Sequence, residues 1–209
     1  MTYFPLFVDL EGRRVLIVGG GKTALGKAKR LLAYGPSLTV IAPEVVPELD
    51  RLPGISVTRR AFQTDDVNDD DVFVIAATDD RQINHEISVL CKKRRIPVNV
   101  VDTPEDCTFL FPCLVRRGPL SIGISTGGAS PTGAIYIKNQ INDRLPDTIG
   151  EILSWLDSQR QPIKERVSRE ETRKVIFQHL FVRCLSLNRI LTPEEAEHII
   201  RAAEGGELP

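Results

Sequence analysis

The feature that most constrains this chain is Gly19-Gly20-Gly21-Lys22-Thr23-Ala24, which directly follows the apolar run Arg14-Val15-Leu16-Ile17-Val18. A short apolar run ended by glycines reads as a buried strand. Beyond the glycines, Ala24, Leu25, Ala28, Leu31 and Leu32 fall at helical spacing, and Gly35-Pro36 stops that helix. Strand, glycine turn and helix in this order match G-x-G-x-x-A. In that pattern the first glycine makes a tight turn and the second lets the backbone approach a pyrophosphate. The small sixth residue permits close helix packing, and the helix N-terminus holds the anion. Gly19, Gly20 and Gly21 are therefore expected to cradle a dinucleotide.

The pattern repeats along the first half of the chain. Residues 38–42, 55–58, 71–77 and 97–101 read as further strands, and Ile83, Ile87 and Leu90 mark one face of a helix running to about Arg95. Strands alternating with helices at this spacing predict βαβ units in a parallel sheet. After Asp102 the character changes. Residues 107–115 and 120–126 read as an antiparallel pair joined by residues 116–119. A helix is then expected from Pro131, capped by Ser130, with Ile135, Ile137, Ile141 and Leu145 on its apolar face. From Pro146 the pattern is helical only. Ser168-Arg169-Glu170-Glu171 and Thr192-Pro193-Glu194-Glu195 each match a capping box. The fold class expected is α/β: a parallel-sheet domain over 1–112, a β/α segment over 113–145 and a small helical domain over 146–209.

Composition removes several classes. The 209 residues hold 27 Lys plus Arg against 28 Asp plus Glu, a formal net charge of −1. A dedicated nucleic-acid binder carries a basic surplus, so no nucleic-acid partner is expected. No run approaches the roughly 18 apolar residues of a membrane span, and residues 1–10 lack the basic start and small-residue cleavage site of a leader. Cys91, Cys107, Cys113 and Cys184 form no C-x-x-C pair, and His85, His179 and His198 have no ligand-spaced partner. No resident metal is expected, and the cysteines read as reduced thiols of a cytoplasmic protein.

In doubly wound sheets ligands lie beyond the carboxyl ends of the strands. At the end of the second strand the nearest acid is Glu44, a candidate for the ribose hydroxyls of NAD. No Arg or Lys stands in that turn to take a 2′-phosphate, so NAD is favoured over NADP. At the end of the fourth strand, Thr78 and Asp79 can offer polar contacts, although Asp79 or Asp80 would equally suit a helix N-cap. Asp102 ends the fifth strand. It is placed to act as a general base or ligand, or to make an Asx-turn before Pro104. Finally, Ser125-Thr126-Gly127-Gly128-Ala129-Ser130-Pro131 opens a helix, with Arg116, Arg117, Lys138 and Arg144 on either side. That combination suits an anionic ligand, or an ordinary loop beside a solvated basic face.

Phe4-Pro5-Leu6-Phe7, Val18-Gly19-Gly20-Gly21, Ile75-Ala76-Ala77-Thr78-Asp79-Asp80, Val98-Asn99-Val100-Val101-Asp102 and Ser125–Pro131 occur in this order. The series resembles the precorrin-2 dehydrogenase/sirohydrochlorin ferrochelatase family, which includes the N-terminal module of siroheme synthase. The resemblance is strong over about residues 1–145 and general in the helical tail. It implies a Rossmann domain, a dimerisation segment and a helical domain in a homodimer. It also implies oxidation of precorrin-2 to sirohydrochlorin with NAD as hydride acceptor. Some members of the family insert ferrous iron afterwards, and a ferrous or cobaltous ion is then a transient substrate.

On the same resemblance, the essential aspartate falls on Asp102, and the cofactor contacts on the glycine loop with Lys22 and Thr23, on Pro43 and Glu44, and near Thr78. The carboxylate-rich substrate would meet Arg116, Arg117, Ser125, Thr126, Gly127 and Lys138. The chain departs from the family where Gly26-Lys27 replaces Arg-Lys and where Thr23 replaces Val. The competing expectations are a chelatase that does not oxidise and a non-catalytic NAD-sensing module.

Overall fold

A computed structural model describes residues 3–208. The absence of a leader, read over residues 1–10, falls in part on Met1 and Thr2, which lie outside the described residues. The chain divides into two compact units, Met1–Phe111 and Pro112–Pro209.

The first unit is built on a five-stranded sheet. Its elements are β1 (Arg14–Val18), α1 (Lys22–Leu32), β2 (Ser37–Ile41), α2 (Pro47–Asp50), β3 (Ile55–Thr58), β4 (Val74–Ala76), α3 (Arg81–Arg94) and β5 (Val98–Val100). The strand order is β3-β2-β1-β4-β5, and every pairing is parallel. The order reverses between β1 and β4, which is the switch point where ligands of such sheets bind.

Side chains alternate between two cores. Val15, Ile17, Val40 and Ile75 pack with Ala24 and Ala28 of α1. Leu16, Val18, Val74 and Ala76 pack with Ile87 and Cys91 of α3. Burial on both faces is why the strands read as continuous apolar runs.

The expected strand over 71–77 is regular only over Val74–Ala76, although Val72 N–H already donates to Arg14 O (3.0 Å). Asp71 is spent earlier, in a buried ion pair with Arg14 (2.5 Å) that also accepts the Asn68 amide. Burial pushes its carboxyl pKa up, against the pull of the Asn68 N–H and of Arg14.

The second unit comprises β6 (Cys113–Arg117), β7 (Leu120–Ile124), α4 (Pro131–Arg144), α5 (Ile149–Arg166), α6 (Glu170–Leu187) and α7 (Pro193–Glu204). Strands β6 and β7 pair antiparallel through the turn Gly118-Pro119. This corrects the expected strand over 107–115, because residues 107–109 fasten to the free edge of β5 instead. The Thr108 amide donates to Val98 O (2.8 Å), Val98 N–H donates to Thr108 Oγ1 (2.7 Å), and Val100 N–H donates to the Cys107 sulfur (3.1 Å). An exposed strand edge is thereby covered. Phe109 and Phe111 then close over Phe73, with ring centroids at 4.9 and 6.3 Å. Arg116 and Arg117, expected in the turn, stand in β6 opposite Ser121 and Leu120.

The helices of this unit bury Ile152, Ile163, Ile176, Leu180 and Ile200 together. The Thr192–Glu195 capping box forms as expected. The Ser168–Glu171 box does not: Arg169 is the N-cap without a side-chain bond, and Arg173 Nη1 takes the carbonyls of Val167 and Ser168. Among the described residues, no helix is long and apolar enough to cross a membrane.

Candidate active site and cofactor crevice

Three strand ends converge on the glycine loop. Gly19 has φ +124°, and a Cβ there would lie 2.1 Å from the carbonyl oxygen of Ala77. Gly19 N–H donates to Ile41 O, while Ala77 N–H donates to Val18 O. On the other side, a Cβ on Gly20 would lie 2.0 Å from Glu44 O, and Val46 N–H donates to Gly20 O (2.9 Å). Only glycine satisfies the dihedral at the first position and the clearance at the second. The loop is thus wedged between residues 44–46, which follow β2, and residues 77–78, which follow β4.

The start of α1 is open for an anion. Its N-cap, Gly21, has no side-chain bond, its first turn holds no acid, and space lies open around the Gly21 Cβ position. The first helical bond runs from Leu25 N–H to Gly21 O, so the amides of residues 22–24 precede any intrahelical partner. Exposed Lys22 and Thr23 flank them. Unpaired amides, the positive helix end and a lysine suit a pyrophosphate, so the residues present fit a dinucleotide.

Pro43 and Glu44 are exposed beside this loop. Thr78 is held by Asn84 of α3: the Thr78 amide and hydroxyl both donate to Asn84 Oδ1 (3.1 and 2.8 Å), and Asn84 Nδ2 donates to Thr78 O (2.9 Å). Asp80 is the N-cap, accepting from Gln82 and Ile83 amides, which leaves Asp79 exposed and outside the cap.

Asp102 stands exposed just after β5, with φ 60°, a left-handed backbone uncommon outside glycine, asparagine and aspartate. Val101 N–H donates to Ala76 O, which ties this loop to the end of β4. The loop is anchored again by Asp106. Its carboxylate meets His85 Nδ1 (2.9 Å) and Lys92 Nζ (3.6 Å), and its carbonyl accepts from Ser88 Oγ (2.7 Å). The His85 contact first, and Lys92 after it, hold the Asp106 carboxyl below its ordinary range despite burial.

Lys27, one turn and a half along α1, donates to Asn99 Oδ1 (3.1 Å) and sits 4.0 Å from the Phe111 ring centroid. Burial pulls its amine down to about 8, with Arg30 adding to the effect and Cys107 opposing it. None of Asn84, Asp106 or the role of Lys27 is visible in the motifs, because each acts through a side-chain contact between separate elements that no local spacing announces.

The remaining site residues stand in the second unit. Arg116 is exposed on β6. Arg117 Nη2 donates to Asn142 Oδ1 on α4 (2.6 Å), and Lys138 lies one turn before Asn142 on the same helix face. In the loop, Thr126 Oγ1 accepts from Ser130 N–H (3.1 Å), Ser125 Oγ accepts from Gly127 N–H (3.1 Å), and Ser130 caps α4 through Gly133 N–H. Its hydroxyls therefore shape the loop. Among the described residues, no three His, Cys, Asp or Glu side chains cluster as a metal site.

Two family models match successive segments of the chain. Residues 6–113 match a family model described as "Putative NAD(P)-binding", and residues 117–144 match "Sirohaem biosynthesis protein central". A siroheme synthase of Thioalkalivibrio sulfidiphilus is 39% identical over 86% of this chain and 37% of its own length. One from Pseudomonas aeruginosa is 37% identical over 100% of this chain and 45% of its own. The chain thus spans less than half the length of these relatives. The solved structure of SirC, a precorrin-2 dehydrogenase, superposes with a TM-score of 0.67 at 26% identity, covering 97% of this chain and 100% of that one. The chain belongs to the NAD(P)-binding family of the first model and carries, directly after that domain, the central segment of the sirohaem biosynthesis proteins.

Proposed function

We propose that this chain oxidises precorrin-2 to sirohydrochlorin, with NAD as the hydride acceptor, in siroheme formation. The observation that carries the proposal is the shared strand-end crevice: Asp102 follows β5, tied to β4 at Ala76, and β4 is tied at Ala77 to the strand that feeds the glycine loop. Similarity to siroheme synthases and to SirC supports the substrate.

In this reading Gly19, Gly20, Gly21, Lys22 and Thr23 hold the pyrophosphate, with Pro43, Glu44, Thr78 and Asp79 around the rest of the dinucleotide. Bound NAD supplies a two-electron acceptor for hydride. One C–H bond of the macrocycle gives up hydride and a neighbouring position gives up a proton, so the products are sirohydrochlorin, NADH and H⁺. Asp102 is the carboxylate that receives that proton. Arg116, Arg117 and Lys138 offer counter-charge to the substrate's carboxylates, and Ser125, Thr126 and Gly127 form the loop that meets them. Chelation of a ferrous or cobaltous substrate ion requires pyrrole protons to leave, and the same Asp102 would accept them.

Residues 113–145 serve as a homodimerisation segment in this reading, ahead of a helical domain over 146–209. The exposed Ile135, Tyr136 and Ile137 of α4 support the dimer. The free cysteines support a reducing, cytoplasmic setting.

The test is an anaerobic reaction of purified protein with precorrin-2, with and without NAD, followed by absorbance and then by addition of ferrous or cobaltous ion. Oxidation that requires NAD is expected. Metal insertion without oxidation would favour a chelatase, and NAD binding without either reaction would favour a sensing module.

A further inference from the structure

The corner of the sheet that normally receives the adenosine ribose holds a basic pair the β2 turn itself lacks. Register places Thr58 opposite Ile41, and Ala42 N–H donates to Thr58 O (3.2 Å). Arg59 and Arg60 therefore emerge at the carboxyl end of β3, alongside the residue that ends β2. The two arginines are not equivalent. Arg60 is consumed: both terminal guanidinium nitrogens donate to Asp66 (2.7 and 2.5 Å), Nη1 also donates to Ala61 O, and Asp66 is itself fixed by the Gln63 amide (2.7 Å). Arg59 meets Asp50, the last residue of α2, at 2.6 Å, and both side chains remain about half exposed (53% and 43%).

In sheets of this class an acid near the end of β2 bonds the ribose 2′-hydroxyl, whereas a nearby arginine accommodates a 2′-phosphate. Here β2 ends at Ile41 and Ala42 follows it, so the nearest carboxylate after the strand is Glu44, three residues beyond Ile41. We propose that the Arg59–Asp50 pair sets the choice between NAD and NADP: Asp50 neutralises Arg59 and keeps NAD preferred, while Arg59 is a latent 2′-phosphate ligand. An exposed ion pair is weak, so Arg59 exchanges partners readily once the competing carboxylate is removed. This rests on the glycine loop binding the dinucleotide.

The test is direct titration of NAD and NADP into the purified full chain, by calorimetry or intrinsic fluorescence, with no substrate present. The wild type should bind NAD more tightly than NADP. Asp50→Asn should tighten NADP about fivefold, the most that an exposed ion pair is worth, and leave NAD within about twofold. Asp50→Asn/Arg59→Ala should lose that gain. Circular dichroism and thermal unfolding verify that each variant is folded. Unchanged NADP affinity in folded Asp50→Asn, an equal change for both dinucleotides, or a gain that survives in the double variant would overturn the proposal. A wild type that binds neither dinucleotide would overturn the cofactor reading beneath it as well.

Discussion

The carbonyl oxygen of Glu44 lies 2.0 Å from where a Cβ on Gly20 would stand. The chain following β2 therefore crosses directly over the glycine loop, and Val46 N–H fastens it to Gly20 O. A single methyl group at position 20 must displace main chain, which cannot rotate away as a side chain would.

Gly20→Ala should therefore weaken NAD binding by at least about tenfold and destabilise the fold by about 1–3 kcal/mol, the range for overpacking a tight site. Titration with NAD and denaturant unfolding check the two effects separately. Unchanged affinity would mean that residues 44–46 yield without disturbing the site.

Gly26 is the opposite case. It lies inside α1, and nothing stands within 4 Å of its Cβ position. Gly26→Ala should raise stability by about 0.5–1 kcal/mol, because alanine restricts the unfolded chain and favours helix. Chemical denaturation measures it, and NAD affinity should not change.

Lys27 carries a pH signature. Burial, with help from Arg30, lowers its amine from 10.5 to about 8 in the folded chain. Between those values the unfolded chain binds a proton that the folded chain does not, so this group makes stability rise as pH increases from about 8 to 10.5. Below pH 8 both states are protonated, and the cost of the buried charge is present in full. Lys27→Met should remove that rise, seen as the difference between variant and wild type in unfolding free energy across the window. A variant with the wild-type slope would place the lysine's charge in solvent.

The sequence made part of this molecule legible for physical reasons. β1, the glycine turn and α1 were readable because apolar run, glycines and helical spacing are local and agree with one another. The Thr192 capping box was readable because both of its bonds close within four residues. The strand expected over 107–115 failed because Cys107 and Thr108 are spent on the edge of β5, a contact between segments that no local pattern announces. The Ser168 box failed because α6 starts at Glu170, which makes Arg169 and not Ser168 the N-cap residue. In the candidate site, Gly19, Thr78 and Asp102 are legible as strand-end residues, because each follows its own apolar run. Arg59 carries no such signal, since only parallel register brings the end of β3 beside the end of β2.

Proton removal by Asp102 during oxidation of precorrin-2 is tested most directly by one comparison. Wild type and Asp102→Asn are mixed anaerobically with NAD and precorrin-2, and reduced nicotinamide is followed alongside sirohydrochlorin. The wild type should form both in equal amounts. Asp102→Asn should bind NAD with unchanged affinity and react at about a hundredth of the rate or less, the scale of a lost general base. Conversion by Asp102→Asn at the wild-type rate would contradict the role assigned to that carboxylate.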